Sequence, residues 1–219
     1  MFATIIVSRP HPLQGHHHTP LEIAQAGVNV SQLAIAVLGV LVISGEYATG
    51  MIRATFTAVP KRLPVLWAKL AVYAVVSFLL MLPCVLTAFF ASQAILARKD
   101  VLQISFTHPG VARAVIAGAL YLTLVGMFAL TLGAIVRNTA GGIASFAAIF
   151  FIIPPLLAIL PTSWSDTINP YLPDTAARSI FSLTTDPHTL APLPGLLLFC
   201  GYLALTTAIA GGLLLRRDT

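Results

Sequence analysis

The stretch Val111–Leu160, VARAVIAGALYLTLVGMFALTLGAIVRNTAGGIASFAAIFFIIPPLLAIL, decides the fold of this 219-residue chain. Its only charged residues are Arg113 and Arg137. A bilayer core of about 30 Å needs about 20 consecutive apolar residues in a helix. Arg137 divides the stretch into two such runs, about Val111–Val136 and about Gly141–Leu160. Apolar residues follow one another without a period of two, so the runs predict membrane helices and not the strands of a barrel.

Three further runs lie outside this stretch, at about Val28–Ser44, Leu66–Ala97 and Leu196–Leu215. The first is short, although Ala48 can extend it. The second exceeds one span and contains Pro83, so it is expected to tilt, kink or protrude. Composition agrees with the runs. Hydrophobic residues make up 58% of the chain and charged residues 9%, against about 25% charged in soluble domains. The mean hydropathy is +0.92. So few charges cannot cover a soluble protein of this size. The fold class expected is all-α, a polytopic transmembrane helix bundle of about five full spans plus an N-terminal stub.

The formal net charge of +5 comes from basic residues in short connections. They read as orientation signals, so nucleic acid is not an expected partner. With the Glu46–Pro64 connection inside, the cytoplasmic side holds Arg53, Lys61, Arg62, Lys69, Arg137, Arg216 and Arg217. The other side holds Arg9, Arg98, Lys99, Arg113 and Arg178, with Glu22, Asp100, Asp166, Asp174 and Asp186. The C-terminus is then cytoplasmic. Residues 1–27 form an external segment containing the apolar Met1–Ser8, which is too short to span and lacks the basic start of a signal peptide.

Two connections carry information. EYATGMIRATFTAVPKRLP, Glu46–Pro64, places Glu46, Thr49, Arg53 and Thr57 on one polar stripe and Ile52, Phe56 and Val59 on another face. That pattern predicts a short amphipathic helix, ended by Pro60, with its apolar face in the interface. A solvated connection whose charges only set topology is the plainer alternative. The second connection, Pro161–Pro194, is long and rich in proline. Trp164 and Tyr171 suit the membrane–water interface, and Thr175–Leu183 predicts a short helix with Asp174 near its start. A lid over an exit path and a plain connecting loop both fit.

Other chemistries find little support. His11, His16, His17 and His18 form a His-rich tract without Cys, Asp or Glu among them, and adjacent histidines rarely close an ordered metal site. Cys84 and Cys200 lie in apolar runs and are expected to be buried small hydrophobes. No HExxH sequence, acidic pair or membrane-embedded histidine occurs in the runs, which argues against a membrane enzyme or a proton-coupled carrier. There is no GxxxxGK[ST] phosphate loop, so any ATP-driven work enters through a partner. Neither catalytic residues nor a cofactor or metal are expected. Pro154 and Pro155, like Pro83, fit hinges or ordinary membrane-helix prolines. Gly118, Gly126, Gly133, Gly141, Gly142, Gly211 and Gly212 are expected to let helices approach closely.

The stretch LGVLVISGEYATGMIRATFTAVPKRLPVLWAKL resembles the permease subunits of type-2 ABC transporters, in the large group common in actinobacteria. Those proteins carry a similar Gly-Glu-Tyr/Phe-x-Thr-Gly-x-Ile-Arg sequence after their second membrane helix. Here it reads Gly45, Glu46, Tyr47, Thr49, Gly50, Ile52 and Arg53. LGAIVRNTAGGIASFAAIFFIIPPLLAILP and INPYLP also look like that family's later helices and outer loop. The resemblance implies a permease domain over residues 28–219 in the bacterial plasma membrane, with a second permease copy or sister permease and a cytoplasmic ABC-type ATPase as partners. Residues 46–62 would be the coupling helix that docks on the ATPase, with Glu46, Tyr47, Thr49, Gly50, Arg53, Lys61 and Arg62 as its contact residues. Residues 161–194 would form the external loop. Met1–Ser8 looks like the outer end of the family's first membrane helix. The function expected is the membrane-spanning subunit of an ATP-driven exporter. A membrane scaffold or immunity-type protein and an ATP-independent carrier are the alternatives.

Overall fold

The computed structural model describes residues 20–51, 62–97, 111–157, 159, 167–180 and 190–216. Four long helices are unbroken: α1 Pro20–Thr49, α2 Arg62–Ala97, α3 Val111–Val136 and α6 Pro192–Arg216. Between α3 and α6 lie α4, Thr139–Leu157, and the short α5, Pro173–Ser179. The described residues contain no strand. All the long helices, α4 included, are long and apolar enough to cross a membrane, which gives five candidate spans among the described residues. The chain is an all-α bundle and reads as a multi-pass membrane protein.

The five apolar runs all become helices, with shifted edges. The third coincides with α3. The first was expected to end near Ser44, but α1 continues to Thr49. It stops there because Gly50 takes a left-handed backbone, φ 73°, which glycine adopts without steric cost. The fourth run becomes α4 and is not regular. Residues Ala148–Ile152 form a π turn, in which the Ile153 amide donates to the Ala148 carbonyl. Pro154 and Pro155 follow after Ile153 and bring no amide donors, so two rungs of the ladder are missing there, although the helix runs on to Leu157. Pro83, by contrast, sits within a continuous α2.

The core is built around α3, whose apolar window is 83% buried, against 11% for α2 and 22% for α6. Register follows from cross-helix contacts. A side chain added at Gly39 would strike the Gly126 carbonyl, and one at Gly133 would strike Val40 and Ile43, so α1 and α3 run parallel. Tyr73 of α2 donates to the Ile35 carbonyl at 2.8 Å, and Lys69 of α2 reaches the Val42 carbonyl, so α2 runs antiparallel to α1. Thr131 of α3 donates to Thr206 of α6 at 2.9 Å. A group of rings, Phe128, Phe146, Phe150 and Phe199, ties α3, α4 and α6 together; Phe146 and Phe150 stack at 4.4 Å.

Glycine is required where α1 crosses α3. Its absent side chain lets the backbones touch, which is how membrane helices gain packing contacts when lipid is as apolar as leucine. Gly133 and Gly142 likewise sit close against Val40, and the space a side chain would fill at Gly126 is taken by the Tyr73 ring of α2, whereas Gly212 has nothing within 4 Å and Gly118 only ordinary contact. Cys84 and Cys200 are free and exposed on the bundle surface, contrary to the expectation of burial. Their runs are apolar because they face outward as well as inward. The wide outer faces carry Val72, Val76, Leu79, Leu80, Leu197 and Leu205 in exposed positions, as lipid contact requires.

Candidate functional site

The bundle has two ends. At the proximal end α1 and α3 finish and α2 and α4 begin; at the distal end α1 and α3 begin. Of the expected coupling residues, Glu46, Tyr47, Thr49, Gly50 and Arg62 are described, and they lie at the proximal end. Glu46, Tyr47 and Thr49 lie in the last turn of α1, and are not the start of a separate helix. Gly50 ends that turn. Arg62 opens α2. Arg53, Lys61 and most of the 46–62 stretch lie outside the described residues, as do the His-rich tract, Met1–Ser8 and most of the 161–194 connection.

Glu46 is the anchor of the proximal end. One carboxylate oxygen accepts from Lys69 of α2 at 2.5 Å, and the same ammonium donates to the Val42 carbonyl. The pair ties the end of α1 to α2 just where the chain leaves one helix for the other. Thr49 satisfies itself by donating to the Gly45 carbonyl at 2.9 Å. Thr139, opening α4, donates to the buried Ser44 at 2.9 Å. Arg137 fills the two-residue link between α3 and α4. It adopts a left-handed backbone, φ 57°, and its amide donates to the Gly133 carbonyl, closing α3 as an αL cap does. Asn138 then caps α4 by accepting from the Gly141 amide at 3.0 Å. The Arg137 guanidinium stacks over the Tyr47 ring at 5.3 Å and donates to the Leu213 carbonyl of α6. Every helix arriving at this end is thus joined to another by a polar contact. Two buried ionic atoms, Glu46 Oε2 and Arg137 Nε, have no hydrogen-bond partner among the described residues.

The distal half holds a polar knot that the sequence reading missed. Its keystone is Gln32 of α1, fully buried. Gln32 Oε1 accepts from the Tyr121 hydroxyl at 2.9 Å and from Arg178 at 3.2 Å. Its amide nitrogen donates to Asp174 at 3.3 Å. Arg178 also donates to both oxygens of Asp174, at 2.8 and 2.9 Å, and to Asn29 at 2.6 Å. The guanidinium's burial is offset by the Asp174 carboxylate, which accepts through both oxygens. Asp174 and Arg178 lie one turn apart on α5. Pro173 occupies the first position of that helix, after an extended Leu172, and Asp174 sits in its first turn. The expected helix over Thr175–Leu183 therefore starts earlier and is shorter.

The five apolar runs contain no acid or base at their centres, and that reading of the sequence stands. The ion pair enters the bundle from the connection instead. The signal available beforehand was the i,i+4 spacing of Asp174 and Arg178, together with a lone Gln32 in an apolar run. An apolar groove of about 570 Å³ also lies between α1 and α2, lined by Leu38, Val42, Val72, Val76 and Met81 with Lys69 at its proximal end. No group of three or more His, Cys, Asp or Glu able to hold a metal occurs among the described residues. No protein-family model, curated protein or solved structure matches the chain.

Proposed function

We propose that the chain is the membrane-spanning permease subunit of an ATP-driven exporter in a bacterial plasma membrane. A separate cytoplasmic ABC-type ATPase would serve it, and a second or sister permease would complete it. The proximal end is cytoplasmic in this reading. One observation carries the proposal: the Gly45–Arg53 stretch that resembles the coupling region begins where α1 ends, between two spans, and its Glu46 is ion-paired to α2 through Lys69. A push delivered to the 46–62 segment reaches α1 through Thr49 and Glu46 and reaches α2 through Arg62 and Lys69. Through Arg137 on Tyr47 it also reaches α3 and α6. ATP binding closes the ATPase pair, the segment moves with it, and the helices pass from an inward-open to an outward-open arrangement. The apolar groove and outer faces suit an apolar cargo.

The test is purification in mild detergent from the native host, with partners identified by mass spectrometry. An ABC-type ATPase co-purifies with the unaltered chain and is lost from an Arg53→Glu/Lys61→Glu variant that still inserts. Retention of the ATPase and of transport by that variant would overturn the coupling assignment. Transport in vesicles without any ATPase would point to a carrier. A folded complex with no transport would point to a scaffold.

A further inference from the structure

We infer that α5 is a releasable plug in the distal half of the bundle, and that Gln32 is the keystone that holds it shut. The inference requires no ATPase and holds equally for a carrier.

The depth of the knot comes first. Gln32 lies about 8 Å along α1 from Gly27, where its span begins, and Tyr121 about 13 Å along α3 from Ala112, at 1.5 Å per residue. The Asp174–Arg178 pair that meets them is therefore carried well inside the bundle. Ionisable groups at such depth are costly and mark functional elements. Then comes the fragility of α5. Its bounds, Pro173–Ser179, make it far too short to persist alone, since isolated helices below about 12 residues are marginal. It holds only while docked. Leu172, Ala176, Ala177, Ser179 and Ile180 are buried, but its docking face is mostly Ala and Ser. A side chain added at Gly195 of α6 would collide with Ser179 and the Ala176 carbonyl, so the fit is close, and the large apolar side chains that hold it, Leu172 and Ile180, flank the helix at its two ends.

The decisive feature is the way charge is divided. Both members of the ion pair belong to α5. The body of the bundle contributes only neutral partners: Asn29, Gln32 and Tyr121. Removing one member of a buried pair is strongly destabilising because a lone charge is left behind. When α5 withdraws, however, the pair leaves together and no charge is stranded on either side. Only hydrogen bonds to neutral groups break, and water can replace them at modest net cost. What remains is a pocket edged by Asn29, Gln32 and Tyr121, which is wettable. A static staple needs no such division, and a charge on α1 or α3 would hold α5 more firmly.

The test reads water access in the full chain reconstituted in vesicles. In a Cys84→Ala/Cys200→Ala background, Ser179→Cys reports on the plug and Ala129→Cys, in the centre of α3, reports on the core. Each is labelled with a membrane-impermeant charged thiol reagent supplied on both faces. With Gln32 present, Ser179→Cys labels slowly and Ala129→Cys does not label. Adding Gln32→Leu raises the Ser179→Cys rate about tenfold or more, while Ala129→Cys stays silent. An unchanged Ser179→Cys rate overturns the inference. Should Gln32→Leu expose Ala129→Cys as well, the milder Tyr121→Phe decides. It removes a single donor to Gln32, and a several-fold rise confined to Ser179→Cys supports the plug, whereas no rise refutes it.

Discussion

The crossing of α1 over α3 can be tested by a matched series of glycine-to-alanine changes. An added Cβ at Gly39 would lie 2.3 Å from the Gly126 carbonyl oxygen, about 1 Å inside ordinary contact. The obstacle is backbone, which cannot rotate away, so the two helices must separate. Overpacking of this kind costs about 1–3 kcal/mol. Alanine returns up to about 1 kcal/mol of helix propensity, leaving a net loss of up to about 2 kcal/mol. At Gly27 on the same helix, and at Gly212 on α6, an added Cβ meets nothing within 4 Å, so only the propensity gain remains. That gain is common to Gly39→Ala and Gly27→Ala, which should therefore differ by the overpacking cost of about 1–3 kcal/mol. For a domain of this size 1 kcal/mol moves Tm by about 2–4 °C, which separates the two variants by roughly 2–12 °C. The assay is thermal unfolding in detergent, followed by near-UV circular dichroism. Gly195→Ala, aimed at the Ala176 carbonyl, should fall with Gly39→Ala. Equal melting of Gly39→Ala and Gly27→Ala would show that the backbones do not meet there, and the register of α1 on α3 would be wrong.

Two further outcomes follow from the same structure. Lys69→Ala leaves Glu46 without its cation near the membrane boundary. With the two side chains 15% and 27% exposed, the loss is a discounted about 1–2 kcal/mol; Glu46→Gln added to it should recover part of that in a double-mutant cycle, and strict additivity would deny the pairing. Cys84 and Cys200 face outward from apolar helices, and the thiolate that reacts with a maleimide does not form in hydrocarbon, so an impermeant maleimide should label neither in intact vesicles and both after the chain is denatured in detergent. Rapid labelling by the impermeant reagent would place those faces in water.

Much of the membrane architecture was legible because a bilayer acts on the chain one helix at a time. Each span must be long, apolar and internally hydrogen-bonded, and those demands are met within about 20 consecutive residues. The run Val111–Val136 thus matches α3 to the residue. The end of α1 was harder to place. Glu46 and Thr49 carry polarity that suggests an exit from the membrane, yet the helix continues through them because Lys69, on another helix, answers the Glu46 charge. The outward turn of Cys84 and Cys200 was hidden for a related reason: in a membrane helix both the buried and the lipid-facing sides are apolar, so no moment distinguishes them.

Sequence alone determined the helical class, the five apolar spans found among the described residues and the absence of acids and bases at their centres, since all are properties of single segments. Tertiary structure decided which helix is central, which glycines bring backbones together, and that Asp174 and Arg178 enter the bundle to meet Gln32 and Tyr121. Those partners are 142 residues apart in the first case and 89 in the second. Their meeting depends on packing between segments, which no local pattern in the chain records.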